Sequence, residues 1–212
     1  VNPRTDKPAK KIKAAALFDL IVNAAWRTGD PGLVFIDEIN RHNPTPDIGQ
    51  IEATNPCGEL PLLSFESCNL ASVNLARIID KNKVNWSKLK ELVTWGIRFL
   101  DNVIEVNKYP LPQIRDITLS NRKIGLGVMG FADLLIGLDI PYGSKQSIDL
   151  ASKLMRFIHK TSLEASAAIA RQRGVFANFE KSVYAKSGPR LRNATVNTIA
   201  PTGTISIIAG CS

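Results

Sequence analysis

Asn55, Cys57 and Glu59 stand at alternate positions in the stretch Ala53-Thr-Asn-Pro-Cys-Gly-Glu-Leu60, separated by Pro56 and Gly58. An extended or looped backbone carries alternate side chains to one side, so an amide, a thiol and a carboxylate would meet one ligand. Pro56 stiffens the tip, and Gly58 lets the backbone come close to a substrate. The trio offers a positioning group, a reactive sulfur and a base. As a bare pattern it also suits a surface turn, because Asn-Pro and Cys-Gly are turn dipeptides.

Other residues invite weaker readings. Cys68 follows Cys57 by eleven positions, and Cys211, after Ile207-Ile-Ala209, reads as buried filler. His42 beside Cys57 would suggest a thiol hydrolase, and Cys57, Cys68 and His42 a zinc site. No C-x-x-C or H-x-x-x-H spacing supports a metal, so none is assigned. His159 falls in a helical stretch and reads as a solvated or partly buried side chain. Gly125-Leu-Gly-Val-Met-Gly130 has the glycines of a dinucleotide fingerprint. It lacks a clear preceding strand and an acidic residue about 20 positions later. These glycines read as close-packing positions and Asp133 as structural. Ala200-Pro-Thr-Gly-Thr-Ile-Ser206 lacks the lysine of a P-loop. A glycine-containing turn before a helix nonetheless exposes backbone amides, and Thr202, Thr204 and Ser206 add hydroxyls, so phosphate binding and an ordinary strand-to-helix turn both remain open.

The elements that must position these groups follow from periodicity. Ala14 to Arg27 predicts a helix stopped by Gly29, and Leu33-Val-Phe-Ile36 a short strand buried on both faces. Asp37 to Gln50 is polar and irregular and reads as a loop. Trp86 to Val106 predicts a helix capped by Asn85, with a stripe on Leu89, Leu92, Val93, Phe99, Leu100, Val103 and Ile104. Ile148 to Arg173 predicts a second long helix, ended by Gly174, and the β-branched run within Asn193 to Ala200 predicts a strand feeding the tight turn at Pro201. Buried strands alternating with long helices indicate an α/β architecture, in an open sheet or a barrel.

Composition narrows the partners. The 212 residues are 44% hydrophobic, enough for a sizeable core, and no apolar run nears the roughly 20 residues of a membrane helix. The net charge of +8 is spread over Lys7 to Lys13, Lys81 to Lys90, Arg115 to Lys123 and Lys181 to Arg192 without interleaved aromatics. That favours a solvated basic surface, or attraction of small anionic substrates, over direct nucleic-acid binding. Three cysteines make no disulfide framework, so a reducing cytoplasm is the default compartment. Both ends read as cuts through a longer chain.

The stretch Ala53 to Leu75 is similar to the active-site loop of ribonucleotide reductases, in which an Asn-Pro-Cys-Gly-Glu core is followed by a second cysteine. The short interval to Cys68 resembles class II enzymes more than class I. Gly32 to Pro44, Arg122 to Asp133 and Ala200 to Ser206 resemble further blocks of the family, in family order. Departures are mild: Leu60 stands where Gln is common, Ser64-Phe65 where Pro-Tyr is common, and Ala71 where Gly is common. The resemblance implies part of a ten-stranded α/β barrel, with a finger loop at about 51–70 and a phosphate turn at about 200–206.

It further implies reduction of ribonucleotides by a thiyl radical. Adenosylcobalamin would initiate the radical on Cys57, which would take the ribose 3′ hydrogen. Glu59 would act as the base, and Asn55 would hold the sugar. Cys68, with a cysteine upstream of Val1, would supply the reducing equivalents and become a disulfide, later restored by a dithiol reductant such as thioredoxin or glutaredoxin. Pro201, Thr202, Gly203, Thr204, Ile205 and Ser206 would bind substrate phosphate, and a homodimer is compatible. The alternatives are a class I large subunit served by a partner metal-radical subunit, and a noncatalytic nucleotide-binding module using only the Thr202 turn.

Overall fold

The structure, a computed structural model, describes residues 4, 5 and 7–212. Its contacts divide the chain after Phe35 into two units. In the first, α1 (Ala14–Thr28) follows the expected periodicity and ends where Gly29 adopts a left-handed conformation, its N–H donating to Ala25 O at 2.8 Å. The strand expected at Leu33 to Ile36 does not form. Leu33, Val34 and Phe35 are exposed and lie in no strand, and Ile36 opens a helix, α2 (Ile36–Arg41). An apolar run becomes a buried strand only beside a paired edge, and no described strand pairs with this one. Asp37 and Glu38 in the first turn of α2 and Arg41 in its last suit the helix dipole, so part of the expected loop is helical.

The second unit, from Ile36 onward, begins after α2 with a short antiparallel hairpin of β1 (Ala53–Thr54) and β2 (Pro61–Leu62). Next come β3 (Asn69–Asn74) and a minor hairpin of β4 (Ile79–Asp80) and β5 (Lys83–Val84). The long α3 (Trp86–Val106) and the shorter α4 (Pro112–Asn121) lead to β6 (Ile124–Met129), which pairs with β3 in parallel. After α5 (Phe131–Gly137) and α6 (Lys145–Arg173), residues 193–198 run beside β6, and α7 (Gly203–Ala209) follows. The last strand-like run is held by one parallel bridge, Leu126 to Asn197, and by Leu126 N donating to Val196 O at 2.9 Å. Parallel neighbours need crossovers, and the helices supply them. The described residues form three two-stranded sheets and no closed barrel.

Local chemistry sets the two long helices. Asn85 caps α3 by accepting from Lys88 N at 2.9 Å, and Ser144 caps α6 by accepting from Ser147 N at 3.1 Å. Leu89, Val93, Ile97, Leu100 and Ile104 of α3 and Leu154, Ile158, Ala165 and Ile169 of α6 form the core with Val73, Ile124 and Leu126. Each fully buried Leu, Ile or Val among them contributes about 1.5–3 kcal/mol. Leu92 and Phe99, expected on the buried stripe of α3, are exposed instead, as is Ile148 in the first turns of α6. A helix turned toward one sheet and one neighbour buries only part of a broad apolar stripe. Among the helices Asp101, fully buried, accepts from Arg122 Nη2 at 2.8 Å and from Asn193 Nδ2 at 3.0 Å. This joins α3 to the starts of β6 and of the 193–198 run.

Both core helices lie on one face of the β3–β6 sheet. Ala71 and Val73 point to them, so Leu70 and Ser72 belong to the other face, opposite Gly125 and Gly127 in the parallel register. The site is built on that second face, opposite α3 and α6.

Candidate active site

The hairpin of β1 and β2 presents Asn55, Cys57 and Glu59 at its tip. Its turn closes with Gly58 N donating to Asn55 O at 3.0 Å, and Gly58 has φ +83, which suits glycine. The tip is therefore a turn rather than an extended run of alternating side chains. Asn55 also differs from expectation. Its Oδ1 accepts from Leu60 N at 2.9 Å, leaving Nδ2 as the group with no hydrogen bond among the described residues. The amide thus fixes the turn and can still donate to a ligand. Cys57 is exposed and in no disulfide. Glu59 is partly buried, and its Oε2 is buried with no hydrogen-bond partner.

Three ties from outside hold this hairpin. Asn40 of α2 treats Ile51 as a strand neighbour would, its Oδ1 accepting from Ile51 N at 2.8 Å and its Nδ2 donating to Ile51 O at 2.9 Å. At the other end Glu66, buried, accepts from Leu63 N at 2.9 Å, from Asn121 Nδ2 at 2.7 Å and from the buried Lys123 Nζ at 2.6 Å. At the tip Thr198 Oγ1 donates to Glu59 O at 2.9 Å. Asn40, Lys123 and Thr198 were not singled out from the sequence because each acts on a segment it does not adjoin, and Glu66 was not because its partners Asn121 and Lys123 lie 55 and 57 residues away. A cavity of about 300 Å³ lies beneath the hairpin base, lined in part by Ile51, Pro61, Lys123 and Thr195. It does not include Cys57.

Gly125 and Gly127 are close-packing positions, as expected. A Cβ on Gly125 would lie 2.6 Å from Leu70 Cδ2, and one on Gly127 would lie 2.7 Å from Thr198 O. They sit within a strand instead of a phosphate turn, which removes the dinucleotide reading. Ser72 Oγ, on the same face, is buried without a partner. Glu59 and Ser72 thus supply two of the three buried side-chain polar atoms without a hydrogen bond among the described residues. Such atoms cost stability unless something satisfies them.

Cys68 precedes β3 by one residue, so the strand period puts it on the face of Leu70 and Ser72. Its thiol is pushed up to about 12, chiefly by burial; Glu66 and Glu59 raise it further and Lys123 opposes them. The charges that act on it include the carboxylate at the hairpin tip, which brings Cys68 and Glu59 into one electrostatic neighbourhood. Because the thiolate is the nucleophile, iodoacetamide at pH 8 is expected to label Cys57 at least about 100-fold faster than Cys68. The Cys68 rate should still be climbing at pH 10. Peptide mass spectrometry checks this, and equal labelling at pH 8 contradicts it.

The run 193–198 leads directly into Pro201 and α7, so the tie from Thr198 brings the hairpin tip to the strand-like run ahead of the turn. Thr202, at the N-cap, adopts a left-handed conformation with φ +57 and makes no side-chain cap bond. The first-turn amides of α7 lack acceptors within the helix, as at any helix start. Ser206 Oγ donates to Gly203 O at 3.2 Å, so this hydroxyl is engaged locally, unlike those of Thr202 and Thr204. Cys211 is only partly buried, beside an exposed Ile207 and Ile208, so the filler reading does not hold. Ile205, Ile207 and Ile208 of α7 are exposed. His42 lies 3.2 Å from Glu38 and is exposed. His159, also exposed, meets Asn197 Oδ1 at 3.1 Å. Asp133 accepts from Ser212 N at 2.6 Å, a structural contact.

Comparison with known proteins gives a consistent result. The profile of a family described as "Ribonucleotide reductase, barrel domain" matches residues 2–190. A vitamin B12-dependent ribonucleoside-diphosphate reductase of Thermoplasma acidophilum is 55% identical over 213 residues, spanning 100% of this chain and 28% of that protein. One from Mycobacterium tuberculosis is 55% identical over 99% of this chain and 30% of that protein. A ribonucleoside-diphosphate reductase subunit alpha of Chlamydia pneumoniae is 35% identical over 82% of this chain and 17% of that protein. The solved class Id ribonucleotide reductase alpha subunit of Actinobacillus ureae superposes with a TM-score of 0.76 at 27% identity, over 92% of this chain and 38% of that one. The chain spans under a third of the length of the vitamin B12-dependent relatives it matches.

Proposed function

Because this chain belongs to the ribonucleotide reductase family, matched over residues 2–190 of its barrel domain, we propose that the full-length enzyme reduces ribonucleotides to 2′-deoxyribonucleotides, with the chemistry centred on the hairpin tip. The observation that carries this reading is the buried, unpartnered Oε2 of Glu59 on the tip that presents Asn55 and the exposed Cys57. Identity of 55% with vitamin B12-dependent enzymes, against 35% with an alpha subunit, favours adenosylcobalamin over a partner metal-radical subunit. The exposed Cys57 thiol fits a radical source that approaches from outside the hairpin. Adenosylcobalamin, when bound, supplies such a radical by homolysis of its cobalt–carbon bond.

The residues divide the remaining work. Cys57 Sγ gives up its hydrogen atom, and the thiyl takes the ribose 3′ hydrogen and returns it to C3′ at the end of the turnover. Glu59 Oε2 accepts the 3′-hydroxyl proton as the 2′-hydroxyl, protonated by the thiol pair that includes Cys68, leaves as water, and Asn55 Nδ2 donates to the sugar. Cys68, kept as a thiol by burial, is in the form that can hand on a hydrogen, and with a second cysteine of the full-length protein it ends as a disulfide. A dithiol reductant such as thioredoxin or glutaredoxin then restores it. The turn from Pro201 to Ser206 holds substrate phosphate through its backbone amides and the Thr202 and Thr204 hydroxyls. In the full chain the parallel β3, β6 and 193–198 run belong to a ten-stranded α/β barrel, with 51–70 as its finger loop, in a cytoplasmic enzyme able to form a homodimer.

The test is Glu59→Gln in the full-length enzyme. Removing a base while keeping its shape should lower kcat by about 100- to 10,000-fold, with KM changed by less than about threefold. A rise in KM at unchanged kcat would show that Glu59 only binds.

A further inference from the structure

We propose that Thr198 is a positioning residue for this reaction, its hydroxyl fixing the backbone of Glu59 and so aiming the hairpin tip over the face of the β3–β6 sheet opposite α3 and α6. The inference rests on the catalytic reading of Asn55, Cys57 and Glu59. The hairpin has strands of only two residues, and a hairpin that short does not hold its own orientation. Its internal bonds, Asn55 N to Leu60 O at 3.2 Å and Leu60 N to Asn55 Oδ1 at 2.9 Å, shape the tip without aiming it. Asn40 and Glu66 hold the base. At the tip, the bond from Thr198 Oγ1 to Glu59 O at 2.9 Å is the tie that bears on direction.

Thr198 is itself held in place. Its relative exposure is 9%, and its N–H donates to Leu126 O at 3.3 Å. A Cβ on Gly125 would lie 2.8 Å from Thr198 Cγ2, and one on Gly127 would lie 2.7 Å from Thr198 O. The two glycines thus let the 193–198 run press onto β6 at this residue. The preceding Asn197 is anchored by Nδ2 donating to Leu126 O and to Ser162 Oγ, each at 3.0 Å. A hydroxyl on so constrained a backbone is a fixed reference point. The same run continues into Pro201 to Ser206, so one side chain sets the spacing between the base and the phosphate turn. Errors of about 1 Å in such spacing can cost about 100-fold in rate.

The experiment compares Thr198→Val and Thr198→Ser in the full-length enzyme. Val keeps the methyl packed at Gly125 and removes the donor; Ser keeps the donor and removes the methyl. For Val, kcat is expected to fall about 10- to 100-fold with KM within about threefold, and amide exchange in the peptide 53–62 to quicken about tenfold. Ser should restore both within about threefold. A Val variant with wild-type kcat and exchange overturns the proposal, as does a Ser variant as impaired as Val, which would make methyl packing the relevant contact. If Val does not fold, Ser alone decides, since lost turnover or faster exchange in it also overturns the proposal. A wild-type enzyme that does not reduce ribonucleotides would instead count against the catalytic reading, while the exchange measurement still reports on the clamp.

Discussion

Cys57→Ser in the full-length enzyme is expected to lower ribonucleotide reduction by about four orders of magnitude or more, the scale on which removing a bond-making group is felt. The O–H bond of serine is too strong to yield a usable radical, whereas the two side chains are close in size. Cys57 is exposed at a turn and makes no contact on which the core depends, so thermal unfolding and nucleotide binding should stay near wild type. Turnover assays, equilibrium binding and a melting curve test the three parts together. Residual turnover within a hundredfold of wild type would exclude a thiyl on Cys57.

Lys123→Met should have the largest effect on stability. Lys123 and Glu66 are both buried and 2.6 Å apart, and Glu66 also receives Leu63 N and Asn121 Nδ2. Removing the ammonium strands a carboxylate away from water, which costs about 3–5 kcal/mol. For a chain of this size that corresponds to roughly 10 °C in Tm. Replacing both partners, Lys123→Met with Glu66→Gln, should recover most of the loss, because no buried charge is then left alone. The check is calorimetry or denaturant unfolding of both variants. A single variant within about 0.5 kcal/mol of wild type would show that water reaches Glu66. Because Lys123 also draws the Cys68 thiol down against burial, its loss should make Cys68 slower still to alkylate.

What could be read from the sequence was mostly local. The Asn85 cap and the spacing of Leu89, Val93 and Ile104 define α3 by themselves, and the close-packing role of Gly125 and Gly127 follows from residue type. Asn55, Cys57 and Glu59 stood out because three chemistries share one short stretch. Their arrangement did not. Asn55 turns its carbonyl oxygen inward to Leu60, a choice between solvent and backbone that alternation cannot resolve. Leu33 to Ile36 misled because an apolar run has the same pattern whether or not a sheet edge exists to receive it. Lys123 read as one more surface cation among 27 lysines and arginines; its partner Glu66 lies 57 residues away, a pairing only the fold reveals. Thr198 looked like a β-branched strand former, and its hydroxyl role depends on a loop at the other end of the chain.

The separation of the hairpin's ties in sequence also orders events during folding. Glu66 reaches Leu63 across three residues and Asn40 reaches Ile51 across eleven, whereas Thr198 reaches Glu59 across 139. Loop-closure entropy makes the short ties early and the long one late. During synthesis the base of the hairpin can form while its tip still points freely. The Cys57 sulfur therefore acquires a defined heading only after β6 and the 193–198 run have docked, so a half-made chain carries the thiol without the geometry that its proposed radical chemistry needs.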